Sequence, residues 1–232
     1  MDKKLKVSVV MASYNEEKAI GKMIDEIRKY TKEYDTEILI VDSSKDKTPE
    51  IAKEKGAKVI WQEPKGHGIA LRTAINEAKG DFIITSDCDN TYPMEYIPVV
   101  MKLVNEDGYD LVSCNRLTRQ LGSEMPFSNK LANKGFAFLV KVLYRIDTRD
   151  VTTGMFCMKK EVKNKIKWET NFSFPCEIIV RTVANGFKYK EIDIPYLIRV
   201  GEVTLNKWRS GKAYIKCIFN YKFNLKIDPK EL

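Results

Sequence analysis

One histidine, His67, stands in 232 residues. That scarcity argues against a histidine-based metal cluster and weakens any Ser-His-Asp proposal. Five cysteines (Cys88, Cys114, Cys157, Cys176, Cys217) are scattered, odd in number and never in CxxC spacing. They suggest reduced thiols in a cytoplasmic protein and no zinc site. No apolar run approaches the roughly 18 residues that cross a bilayer. The start, "MDKKLKVSVVMASYNEE", carries charge but only a short apolar segment and no small-residue cleavage site. It reads as a first strand, not a signal peptide. Neither Walker A nor the dinucleotide GxGxxG pattern occurs.

What is present is the composition of a soluble globular protein, 44% hydrophobic and 31% charged. The formal net charge of +8 points to a lysine-rich surface, an anionic ligand or an anionic surface. No nucleic-acid motif accompanies that charge, so no nucleic acid is expected as partner.

Apolar runs alternate with helical patterns. "LKVSVVMAS" (5–13), "EILIVD" (37–42), "AKVIWQ" (57–62) and "DFIITSD" (81–87) read as strands. Between them, 16–34, 48–56 and 68–80 read as helices, with Asn15 and Thr48 as expected caps. This alternation predicts an α/β fold with a mainly parallel central sheet flanked by helices. Further on, helices are expected at 94–106, 128–145 and 174–186, and strands at 109–115, 152–160 and 188–200. Pro98 must break or begin its helix.

Ligands of such sheets bind beyond the carboxyl ends of the strands. There stand "SYNEE", "DSSKD" and "SDCDN". Asp87 and Asp89, two apart after a buried strand, suit shared oxygen ligation of a hard divalent cation bound together with a diphosphate. "EPKGHGIALR" sets glycines and Lys65 before a helix, a plausible phosphate or sugar site. His67 itself reads as a turn residue.

Taken in order, "VVMASYNEE", "ILIVDSSKDKT", "EPKGHGIALRTAINEAKGDFIITSDCDNTYP" and "DVTTGMFCMKKEV" resemble family 2 glycosyltransferases of the GT-A fold. The branch they are most similar to is the dolichyl-phosphate mannose or glucose synthases, and the resemblance covers roughly residues 5–205. It implies inverting hexose transfer from a GDP- or UDP-hexose with Mg²⁺ or Mn²⁺. The acceptor it implies is a polyprenyl (dolichyl) phosphate. By the same resemblance Ala12, Tyr14 and Glu16 hold the nucleoside and Asp42 reads the base or ribose. Lys65 and Gly66 form the donor-side loop, and Asp87 and Asp89 bind metal and diphosphate. Arg116 and Arg199 hold the acceptor phosphate. Asp89, Arg116 and Arg199 are therefore the expected catalytic residues. Thr91 stands where the family has a Gln metal ligand, and Asn129 and Asn133 stand where an Arg and a Ser are usual. A soluble or glycan acceptor, or a nucleotide-sugar-binding protein without turnover, are the other readings. A hydroxyl acceptor would need a carboxylate base, for which Asp150, Glu177 and Glu124 are candidates.

Residues 1–206 are expected to form the catalytic domain. Residues 207–232 form a basic, aromatic segment. On a helical projection Lys212, Lys216, Lys222 and Lys226 fall within about 120°, with Phe219 and Phe223 in that arc. Tyr214, Ile218, Tyr221 and Leu225 face the other way. Either this helix lies on the cytoplasmic membrane face, making the protein peripheral, or it docks on the domain with solvated lysines.

Overall fold

The computed structural model describes residues 4–120, 126–201 and 207–225. A seven-stranded sheet runs through it in the order β3-β2-β1-β4-β6-β5-β7. The strands are β1 (Lys6–Ser13), β2 (Asp35–Asp42), β3 (Lys58–Trp61), β4 (Phe82–Asp87), β5 (Leu111–Gln120), β6 (Phe156–Lys159) and β7 (Tyr189–Tyr196). The first four are mutually parallel, as the alternating pattern predicts. β6 is the exception, antiparallel to both β4 and β5, while β5 and β7 are again parallel. The sheet is therefore mixed but mostly parallel. The expected strand at 152–160 shrinks to Phe156–Lys159, and its last residues lead into a short helix that the sequence pattern does not announce.

The helices are α1 (Ile20–Tyr30), α2 (Thr48–Glu54), α3 (His67–Glu77), α4 (Ile97–Asn105), α5 (Phe127–Tyr144), α6 (Lys160–Lys165), α7 (Phe174–Ala184) and α8 (Lys207–Phe223). They cover both sheet faces, which is why β1 is buried at every position but its first. On one face Val7, Val9 and Met11 meet Ile20, Ile24 and Ile27 of α1 and Val100 of α4. On the other, Val10 and Ala12 meet Leu71 and Ile75 of α3, together with residues of α5, α7 and α8.

Two caps differ from expectation. Asn15 does not cap α1: it adopts a left-handed φ of 57° and its Oδ1 accepts the Lys45 amide. A turn anchored on the Glu16 carbonyl delays the helix to Ile20. At α2 the side chain that takes amides is that of Asp46, which accepts from Thr48 N and Glu17 N. Thr48 Oγ1 in turn accepts the Glu16 amide, tying the loop after β1 to α2. Pro98 begins α4, after a 3-10 turn at Met94–Tyr96.

The C-terminal helix is built into the same core. Tyr214, Cys217 and Ile218 of α8 lie in the cluster with α3 and α7. Tyr214 stacks on Phe136 of α5 at 5.2 Å. Beneath α8, the fully buried Glu177 accepts from Glu169 N, Thr170 N, Thr170 Oγ1, Arg181 Nη1 and Tyr221 OH. Such a carboxylate is a structural tie and not a base waiting for a proton. Replacing Glu177 with Ala takes the side-chain acceptor from Glu169 N, Thr170 N and Thr170 Oγ1 and leaves Arg181 without its buried partner. The expected loss is about 3 kcal/mol of unfolding free energy. A urea titration measures it, and an unchanged midpoint would contradict the role of Glu177 as a tie.

Candidate active site

β1 and β4 are parallel neighbours in the sheet, so their carboxyl ends and the loops that follow stand side by side. Register sets Ala12 beside Asp87. The carboxylates of Glu16, Asp87 and Asp89 share the cleft there. Asp89 is 3% exposed, with Oδ1 accepting Thr91 N at 3.0 Å and Thr91 Oγ1 at 2.5 Å. Thr91 thus aims Asp89. Arg199 lies across the cleft, donating Nη1 to Asp89 Oδ2 and Nη2 to Glu16 Oε1 at 2.9 Å. It arrives there because the segment after β7 runs along residues 89–91, with Leu197 N on Thr91 O and Val200 N on Asp89 O.

His67, at the start of α3, places Nε2 3.4 Å from Asp87 Oδ1. Gly154, just before β6, presses against the same carboxylate: a Cβ there would stand 2.9 Å from Asp87 Oδ1. The sequence reading of His67 as a turn residue missed both its place as the first residue of α3 and this pairing. Only the crossing of α3 over β4 reveals it.

The charges explain one another. Burial raises the Glu16 pKa to about 7, with Asp89 and Asp87 adding to the rise and Arg199 opposing it. Burial and the Asp87 charge raise Asp89, against Thr91 and Arg199. Burial works against ionised Asp87 too, but His67, Arg116 and Arg199 outweigh it and hold that carboxyl below its ordinary value. Glu16 Oε2 is buried without a hydrogen-bond partner. The cleft therefore holds more acid than its own cations balance. Hard oxygen donors and an orphaned carboxylate oxygen fit a divalent cation, for which Arg199 would have to yield part of its hold on Asp89 and Glu16. Among the described residues no three His, Cys, Asp or Glu side chains gather as a complete metal set. The fit is to a cation held by a carboxylate or two and shared with substrate phosphate.

Arg116, at 8% exposure, is buried as well. Its Nε and Nη2 bond Asp150 at 2.8 and 3.1 Å, and Nη2 also reaches Thr152 Oγ1. Neither group engages Nη1. The guanidinium lies 5.6 Å from the ring centres of both Tyr92 and Tyr196. Asn133 of α5 completes the arrangement, donating to Asp150 and Thr152. Asp150 is thus a buried counter-ion, pushed below its usual pKa by Arg116 against the effect of burial. It is not a free base.

The remaining expected residues are placed as follows. Tyr14 is 40% exposed at the mouth of β1. Asp42 ends β2 fully buried, its Oδ1 accepting from Ser13 Oγ and Ser44 Oγ and its Oδ2 from Ser44 N, so it shapes the loop. Lys65 is exposed and Gly66 heads α3. Asn129 lies in the first turn of α5. Glu124 and Lys226 lie outside the described residues.

The model of glycosyl transferase family 2 matches residues 8–167. The chain belongs to this family. The transferase is 41% identical to a dolichyl-phosphate hexose transferase of Haloferax volcanii over 213 residues, 91% of this chain and 92% of that protein. It is 28% identical to a dolichol-phosphate mannosyltransferase of Pyrococcus furiosus over 228 residues, 93% of this chain and 63% of the relative. Its fold is GT-A. Glucosyl-3-phosphoglycerate synthase from Mycobacterium tuberculosis, in complex with Mn²⁺, UDP and glucosyl-3-phosphoglycerate, matches with TM-score 0.78 at 18% identity. That match spans 97% of this chain and 82% of the other.

The Glu16 pKa has a consequence for the metal-free transferase. A carboxyl raised from 4.5 to about 7 stabilises the fold below pH 4.5, and that contribution is lost as pH rises through 7. Glu16→Gln should flatten the fall in Tm between pH 4.5 and 7.5. An unaltered Tm–pH profile would contradict the shifted Glu16.

Proposed function

We propose that this glycosyltransferase moves a hexose from a GDP- or UDP-hexose to a polyprenyl phosphate, with inversion at the anomeric carbon. The observation that carries the acceptor class is the state of the carboxylates. Of the candidate bases among the described residues, Asp150 is spent on Arg116 and Glu177 is spent beneath α8. A hydroxyl acceptor needs a base, whereas a phosphate is ionised near pH 7 and needs cations to hold it. Arg116 and Arg199 are the cations that flank the cleft. The relatives named for dolichyl and dolichol phosphate support the same class.

Each residue then has a task. Ala12, Tyr14 and Glu16 line the nucleoside side, with Asp42 stiffening the loop beneath. Lys65 and Gly66 meet the sugar diphosphate from the head of α3. Asp87 and Asp89 would hold Mg²⁺ or Mn²⁺, which when bound supplies positive charge to the leaving diphosphate. Arg116, kept charged by Asp150, presents its Nη1 edge toward the acceptor phosphate, and Tyr92 and Tyr196 keep that guanidinium in plane. Arg199 sets the acceptor against the face opposite the diphosphate.

A lipid acceptor must be reached at a membrane surface. Among the described residues no helix is long and apolar enough to cross a membrane. Two adjacent helices instead carry exposed apolar stripes. On α5, Phe127, Leu131, Phe138 and Val142 are 58–79% exposed and fall within about 60° of arc. On α8, Ile215, Phe219 and Phe223 are exposed within about 80°. Lys134, Lys141, Lys212, Lys216 and Lys222 are exposed around them. Apolar side chains rimmed by lysines suit an anionic lipid interface on the cytoplasmic side, with the protein peripheral.

Asp89→Ala should lower transfer at least a thousandfold while Tm stays within a few degrees. Undiminished transfer would overturn the assignment of Asp89. Phe219→Ser with Phe223→Ser should weaken flotation with vesicles containing anionic lipid. Equal flotation of variant and native protein would reject the α8 membrane contact. Deleting α8 would not test this, because Tyr214 and Ile218 belong to the core.

A further inference from the structure

The loop 65–69 at the head of α3 is held by a residue about a hundred positions away. Asn171 is 6% exposed and lies between α6 and α7. Its Nδ2 donates to Lys65 O at 2.8 Å, and its Oδ1 accepts Ile69 N at 3.3 Å. One amide thus spans the turn from its first residue to its last. Within that span, Gly66 has φ 118° and ψ 154°, a conformation closed to other residues. A Cβ on Gly66 would lie 2.4 Å from Asn171 Nδ2, and one on Gly68 would lie 2.0 Å from Asn171 O. The loop is therefore laid flat on Asn171, with no side chain between them. α3 has no capping side chain of its own, and Asn171 supplies that bond from a distant element. The neighbouring backbone is fixed in turn, since Arg72 Nη1 donates to Glu169 O at 2.7 Å and Thr170 N donates to Glu177. Inside the turn stands His67, paired with Asp87.

We propose that Asn171 is a positioning residue for the donor: it clamps Lys65–Ile69 so that Lys65, Gly66 and His67 face the sugar diphosphate in one fixed geometry. This rests on the reading of that loop as the donor side. Asn171 touches the loop and not the reacting atoms, so its loss should act on donor binding more than on the acceptor.

The test titrates the full chain with UDP-glucose or GDP-mannose in the presence of Mn²⁺ by calorimetry, and measures acceptor KM with a short polyprenyl phosphate. Asn171→Ala should weaken donor binding about tenfold and leave acceptor KM unchanged. Gly66→Ala should weaken it too. The double variant should lose no more than the worse single one, because both break the same contact. Unchanged donor binding in Asn171→Ala, with loss in Gly66→Ala, overturns the role of Asn171 and keeps the donor-loop reading. No loss in either overturns both. Equal losses toward donor and acceptor would show a general structural role and overturn the proposal. Should Asn171→Ala fail to fold, amide exchange in the native protein decides: the Ile69 amide should be protected although it lies in the first helical turn, and rapid exchange there would refute the clamp.

Discussion

Three carboxylates in one cleft repel each other, and the site depends on how that repulsion is met. Glu16, Asp87 and Asp89 cannot all ionise cheaply without positive charge close by. Arg199 bridges Glu16 and Asp89, and His67 pairs with Asp87. The elements that deliver Arg199 and His67, the segment after β7 and the head of α3, are thereby drawn to the same sheet edge. The cleft stays acid-rich even so, which is the condition for admitting a divalent cation together with an anionic donor.

The proposed acceptor side follows the opposite logic. Arg116 is buried and would be costly alone, so Asp150, Asn133 and Thr152 surround it. Charge is excessive on the donor side and balanced on the acceptor side. The proposed transfer to a phosphate fits this asymmetry: one half would recruit metal, and the other keeps an arginine charged while buried. Helix α5 belongs to both functions, giving Asn133 to the arginine network and an exposed apolar stripe to the surface.

Much of the first half of the fold was legible in the sequence. Strands buried on both faces read as continuous apolar runs, and the intervening helices carry apolar residues at helical spacing, so β1 to β4 fall where the pattern sets them. The antiparallel course of β6 was not legible, because hydrophobicity carries no strand direction. Helix α6, with six residues, is too short for a period to show. In the site, Asp87, Asp89, Arg116 and Arg199 were named from motifs. Thr91 and Asn133 were seen only as departures from a family pattern, and their tasks of aiming Asp89 and bracing Asp150 emerge from contacts.

The sequence alone determined the α/β class and the polar clusters at strand ends, since both are encoded by local order and spacing, and it pointed to the family through the resemblance of its ordered motifs. Tertiary structure decided which acids are available. Asp150 and Glu177 look like any other carboxylates along the chain. Their partners come from elements far away in sequence, and burial with those partners makes one a counter-ion and the other a tie. It also decided the place of α8, which the alternation of lysine and aromatic residues left open. Tyr214 and Ile218 are buried in the core while Phe219 and Phe223 stay exposed, because only one side of that helix meets α5 and α7.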